Sequence, residues 1–140
     1  MTAFPKAVVR RLPRYRVPLE QAVTDGGVIE MPAGDFVQVA NGEIVRFVAH
    51  LEFRAASQAS RGNHWHRART ETCTVIRGRL RARYHDLDSG ERLEVELAAG
   101  DQVTVLPRCA HSYVALEDAA AIECATLPFD PADSVAFRFD

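Results

Sequence analysis

The stretch RGNHWHRARTETCTVIRG, residues 61–78, decides how this chain is read. His64 and His66 stand two residues apart, Glu71 follows five residues later, and Gly78 closes the run. Residues i and i+2 of a β-strand share a face, so a strand here aims both imidazoles at one point. The odd offset to Glu71 would put its side chain on the other face of a strand that simply continued. A turn through 67–70 is therefore required if Glu71 is to join the histidines. His111 comes 40 residues after Glu71, in LPRCAH, just after a strand-like run. Imidazole nitrogen suits zinc, iron, nickel and copper, and a carboxylate adds a harder oxygen. Three histidines and one glutamate are enough to hold a divalent ion with positions left for water or substrate. His-x-His alone fits equally well a pair of histidines in a polar surface loop. The spacing to Glu71 and Gly78 adds weight to the metal reading and leaves both open.

The rest of the chain sets the frame. Its 140 residues fit one domain able to bury about two thirds of its unfolded surface. Apolar residues make up 47% and charged residues 26%, an ordinary globular balance. A net charge of -2 gives no overall field for nucleic acid or membrane surfaces. The arginines near the start and from Arg61 to Arg83 are interrupted by apolar residues, as on the solvated side of strands. No apolar run reaches the ~20 residues needed to span a bilayer, and the first residues lack a signal-peptide pattern, so the expected location is cytoplasmic. Cys73, Cys109 and Cys124 are too few and too scattered for a disulfide framework or a zinc finger. Cys73 and Cys124 sit in apolar strand-like runs and read as small core residues.

No repeat or linker divides the chain. Pro5, Pro13 and Pro18 punctuate an N-terminal arm, 1–23, and argue against a long helix there. From Glu43 the pattern alternates, with Val45, Phe47, Ala49, Leu51 and Phe53 on one face and Arg46, His50 and Glu52 on the other. A second strand region covers 72–84, with Gly78 as a break or bulge. The turn-rich HDLDSGE, 85–91, followed by RLEVELA, predicts a hairpin over 79–98. QVTVLP, SYVAL and AAIECATL add three short strands. Many short strands with frequent turns predict an all-β sandwich or barrel, and the number suits a jelly roll occupying 24–140.

The 61–78 stretch resembles the first motif of the cupin superfamily, with His64, His66, Glu71 and Gly78 at the matching positions. Gly100, Pro107 and His111 match the second cupin motif, while Arg108 stands where that family usually has a turn glycine. The resemblance implies a small jelly-roll barrel with His64, His66, Glu71 and His111 as metal ligands, and commonly a homodimer in which the N-terminal arm packs or swaps. More narrowly, SRGNHWHRARTE and ATLPFDPAD are similar to the C-terminal cupin domain of bifunctional capsular-polysaccharide enzymes that help make UDP-N-acetyl-L-fucosamine. That domain is a zinc-binding epimerase acting on a 4-keto nucleotide sugar, which makes zinc the favoured ion over iron, manganese or nickel. Its partner domain there is a nucleotide-dependent reductase. This chain has no Gly-x-Gly-x-x-Gly signature, so a reductase would be a separate protein. TDGGVIEM, 24–31, is similar to the opening strand of dTDP-sugar 3,5-epimerases and 3,4-ketoisomerases.

The implied chemistry assigns roles. A ketone acidifies the protons on its neighbouring carbons, so an epimerase or isomerase needs a base, an acid and cations for the diphosphate. His64 or His66 serves as base when free of metal; a histidine that holds a metal through its basic nitrogen cannot also take the proton there. Tyr113, two residues after His111 and on its face, is the expected acid, with a half-buried packing tyrosine as the other reading. Arg61, next to the histidine pair, is a candidate to hold a phosphate through two parallel hydrogen bonds, with a solvated strand-end arginine as the other reading. Trp65 points away from the histidine pair and reads as packing. The same ligand set also suits a metal-dependent dioxygenase or lyase, or a binding module without turnover.

Overall fold

The computed structural model describes residues 4–16 and 27–140. Two five-stranded sheets face each other. The first has the order β1(Ala7–Arg11), β10(Asp101–Val105), β7(Glu71–Arg77), β12(Ala119–Ala125), β5(Phe47–Phe53). The second runs β13(Ser134–Ala136), β6(Ser60–His66), β11(Cys109–Ala115), β8(Arg79–Asp86), β9(Arg92–Ala98). Every pairing in both sheets is antiparallel. A small third sheet joins β2(Arg14–Arg16), β3(Gly27–Glu30) and β4(Phe36–Gln38). The architecture is a single-domain cupin jelly roll. Helical structure among the described residues is confined to two short 3-10 turns, and none is long or apolar enough to cross a membrane.

Alternation explains the interior. On β7, Glu71, Cys73 and Val75 face inward while Thr72 and Thr74 face away. On β8, Leu80, Ala82, Tyr84 and Asp86 form the buried set. Leu80, Val75, Leu97 and Val103 are fully buried between the sheets. Cys73, Cys109 and Cys124 are all buried and unpaired, as their apolar surroundings predict for the first and last.

Several expected boundaries shift. β5 begins at Phe47, so Val45 belongs to the preceding loop, and its neighbour Ile44 is 68% exposed. The predicted 72–84 strand is two strands in different sheets. Gly78, at φ +78°, carries the chain from one to the other, and a Cβ there would lie 2.2 Å from the Asp118 carbonyl oxygen. The 79–98 hairpin forms with Arg79 opposite Ala98 and His85 opposite Arg92. His111 follows β10 as expected, and it lies within β11, which starts at Cys109.

Of the N-terminal segment, residues 1–3 and 17–23 fall outside the described residues, as do 24–26 of the TDGGVIEM stretch. Ala7–Arg11 forms β1, the edge strand beside β10, and Ala7 and Leu12 are buried. Lys6 ties this strand to the β8–β9 turn through Asp86, 2.7 Å away, and through Asp88.

Candidate active site

The four predicted ligands meet inside the barrel. One ligand atom from each of His64, His66, Glu71 and His111 lies within 4.8 Å of the others. Three strands in two sheets bring them there. His64 and His66 share the inner face of β6. His111 sits opposite His64 across the β11–β6 pairing. Glu71 opens β7 in the facing sheet, and residues 67–70 make the turn that the odd spacing demanded.

The geometry is close. His66 Nε2 is 2.9 Å from Glu71 Oε1, and His111 Nε2 is 3.2 Å from Glu71 Oε2. The three imidazole rings have centroids 4.7, 4.8 and 5.6 Å apart. His111 Nδ1 is 3.1 Å from the Cys109 carbonyl oxygen, which fixes its ring and turns Nε2 inward. Yet neither the Nε2 of His66 nor that of His111 makes a hydrogen bond, despite the nearby carboxylate. Buried nitrogens that crowd a carboxylate without bonding it fit ligands arranged around a cation. On that observation the residues suit a divalent metal, and the donor set of imidazole and carboxylate matches zinc or iron.

Electrostatics follow from burial. Burial holds the His64 pKa down to about 4, helped by the neighbouring His111 and His66, so it is neutral at neutral pH. Burial opposes ionisation of Glu71, but the imidazoles of His111 and His66 outweigh it and hold the carboxyl well below the usual range. Burial likewise opposes a charge on His111, and Glu71 outweighs it, raising the pKa.

Tyr113 shares the interior, its ring centroid 6.0 Å from that of His111. It is 6% exposed, and its hydroxyl accepts from that of Tyr84 at 3.3 Å. Burial pushes both phenols well above their ordinary pKa, so both stay protonated.

Arg61 joins the same face by a less obvious route. An offset of three from His64 would place it on the opposite side of a regular strand. The β6–β11 pairing shifts register at Gly62 and Asn63, so that Arg61 faces Tyr113 while His64 faces His111. Gly62 and Asn63 take φ of +91° and +59° to make this bulge. The Arg61 guanidinium lies over the Phe53 ring at 5.4 Å, and its Nε donates to the Glu52 carbonyl at 2.9 Å. Its contacts are thus at the rim, next to the Phe53 ring that packs on Tyr113, rather than with the four-residue cluster. Trp65 points away, as expected, with the guanidinium groups of Arg67 and Arg108 5.5 and 5.4 Å from its ring.

Three further side chains went unread in the sequence. Glu123 of β12 faces inward next to Cys73, its carboxyl against that of Glu71. Burial first, and then the charge of Glu71, push it up to about 7. Asp133 accepts from the Ala68 backbone N–H at 2.8 Å and brings Oδ2 to 3.7 Å from His66 Nδ1. Arg69 is 4% exposed, stacks over Phe47 at 4.3 Å and has Nε 3.2 Å from Glu71 Oε1. All three lie within stretches quoted from the sequence, Arg69 in 61–78, Glu123 in AAIECATL and Asp133 in FDPAD, but none carried a spacing that pointed to the site.

Solved structures of similar shape are sugar-nucleotide enzymes. A dTDP-4-dehydrorhamnose 3,5-epimerase from Sulfolobus tokodaii is 21% identical, covers 78% of this chain and 72% of its own, and superposes with a TM-score of 0.68. A mutant of the 3,4-ketoisomerase QdtA from Thermoanaerobacterium thermosaccharolyticum, solved with TDP-4-keto-6-deoxyglucose, is 13% identical, covers 95% and 88%, and scores 0.73. A dTDP sugar isomerase from Desulfovibrio desulfuricans G20 is 13% identical, covers 94% and 83%, and scores 0.75. No family model and no curated protein matches the chain. The likeness is one of fold: the RmlC-like cupin jelly roll.

Proposed function

We propose that this chain, an RmlC-like cupin in fold, is a sugar epimerase or isomerase that moves a proton next to the ketone of a 4-keto nucleotide sugar. The observation that carries the reading is the convergence of three imidazoles and Glu71 inside the barrel, beside protonated Tyr113 and the inward carboxyl of Glu123. The three solved structures are named for chemistry on such sugars, which supports the same class here.

His64, His66, Glu71 and His111 would hold a divalent ion, with zinc favoured over iron, manganese or nickel. When bound, that ion supplies a Lewis acid for a substrate oxygen. The residues around it do the rest. With the histidines engaged as ligands, the inward carboxyl of Glu123 is the group positioned to accept the proton next to the ketone. In a metal-free chain, His64, held neutral by burial, or His66 takes that role. The Tyr113 hydroxyl keeps its proton and can return it to the sugar, with Tyr84 hydrogen-bonded behind it. Arg61, at the rim, is the residue for the diphosphate. The buried inner faces of both sheets exclude bulk water from the reacting carbon.

Deuterium from heavy water should enter a UDP- or dTDP-linked 4-keto sugar during incubation, seen by proton NMR. No incorporation with either nucleotide would remove the reading. Oxygen consumption dependent on bound iron would instead favour a dioxygenase on the same ligands.

The assembly is proposed to be a homodimer. Val8, Thr104, Thr72, Cys124 and Val48 form one row across the outer face of the β1-β10-β7-β12-β5 sheet. Val8 and Val48, at its two ends, are 54% and 64% exposed, which favours coverage by a second copy. A reductase acting on the same keto sugar is proposed as a partner in the pathway.

A further inference from the structure

Five buried side-chain polar atoms make no hydrogen bond among the described residues, and all five lie around this one site: His66 Nδ1 and Nε2, His111 Nε2, Asp133 Oδ2 and Arg69 Nε. Lone-pair atoms among them can be satisfied by a cation. Arg69 Nε cannot. It is a donor on a group that stays protonated at any accessible pH, so it needs an acceptor. Glu71 Oε1 is 3.2 Å away, but the N–H does not meet it in hydrogen-bonding geometry. A buried, charged donor without an acceptor is costly, on the order of 1–3 kcal/mol or more.

Arg69 is 4% exposed, in the turn between β6 and β7, and is held flat against Phe47 at 4.3 Å. That stacking pre-orders the planar fork, so little side-chain entropy remains to be lost on binding. Its Nε, 3.2 Å from Glu71 Oε1, lies beside the ligand set. Glu71 balances it while no cation is present. When a divalent ion draws on Glu71, that carboxylate is shared between the ion and Arg69, and Arg69 Nε is left without an acceptor of its own.

We infer that the site binds its ligand through an anionic carboxylate-type oxygen that accepts from Arg69 Nε beside the histidine cluster. This makes Arg69, rather than the rim residue Arg61, the inner anion-binding group. The inference concerns ligand recognition and holds whether or not the sugar chemistry above is right. The two fail separately, because the test below measures binding and not turnover.

Zinc is titrated into the metal-free chain first, by calorimetry, so that the metal reading is judged alone. Oxalate is then titrated into the zinc-loaded wild type and into Arg69→Gln, with imidazole as a neutral ligand for comparison. Oxalate affinity should fall at least about tenfold in Arg69→Gln, with zinc and imidazole affinities unchanged. Equal oxalate affinity in the two would overturn the inference. So would a parallel loss of zinc and oxalate, which would make Arg69 a residue that positions Glu71. If Arg69→Gln does not fold, Arg69→Lys keeps the buried charge without the planar fork, and should still lose several-fold in oxalate affinity; no loss there would equally overturn it. If zinc does not bind at all, the same comparison is made on the metal-free chains, where the same dependence on Arg69 is expected.

Discussion

His111 and Gly62 show how little freedom the site has at the level of single residues. The Gly62 position would bring a Cβ to 2.6 Å from the His111 carbonyl oxygen, at a backbone φ of +91°. Gly62→Ala should therefore lower stability by about 1–3 kcal/mol and reduce zinc uptake, measured by chemical denaturation and elemental mass spectrometry. Wild-type zinc content together with unchanged stability would contradict the strained bulge. His111→Ala and His64→Ala should each lower zinc content from about one ion per chain, and unchanged content in both would remove the ligand assignment. Glu123→Gln should leave zinc in place while slowing deuterium incorporation at least about a hundredfold; an unchanged rate would return the proton to a histidine. The ligand residues were legible because a strand fixes i and i+2 on one face, which makes the spacing of His64 and His66 meaningful. Glu123, Arg69 and Asp133 were not. Glu123 and Asp133 reach the site through long-range pairing or packing, and no local spacing records the register of β12 against β7; Arg69, two residues before Glu71, is turned inward by the shape of the β6–β7 turn, which the sequence does not spell out.

Among the elements, the strand pattern was readable where alternation was clean and turns were marked by Gly, Asp or Ser. The 79–98 hairpin is such a case. The 72–84 region was not: the inward positions pass from odd numbers (Glu71, Cys73, Val75) to even ones (Leu80, Ala82, Tyr84) across Gly78, and that one-residue slip fits a bulge in one strand as well as a change of sheet. The bulge at Gly62 and Asn63 likewise flips Arg61 to the inner face, which a regular period would assign to the outside. At the N-terminus, β1 depends on charge as well as on pairing. Lys6 holds the Asp86 carboxyl down to about 2, below its ordinary 3.8. A depressed carboxyl pKa contributes stability that is present above the unfolded value and lost as pH falls from about 4 to about 2. The stability difference between wild type and Lys6→Ala should thus be present at pH 7 and shrink through that window, followed by thermal melts. A difference independent of pH would show that Lys6 acts by packing alone.

For the whole molecule, the ligand set spans both sheets, with His64, His66 and His111 on one and Glu71 on the other. A bound ion would clasp the two faces together. Zinc at a hundred times its dissociation constant should add about 2.7 kcal/mol, raising the melting temperature by several degrees, and a chelator should reverse it. No shift on adding zinc would mean that the four side chains do not act as a single site. Light scattering should give twice the chain mass, and Val48→Glu on the outer row should return it to the monomer; a wild-type monomer would remove the dimer.

The buried cysteines carry a consequence of their own. Cys73 lies on the inner face beside Glu71 and Glu123, and Cys109 is fully enclosed near His111. No thiol reagent reaches either while the two sheets stay closed. Their labelling rate is a built-in clock for how often the barrel breathes, and it should slow when a metal joins the sheets.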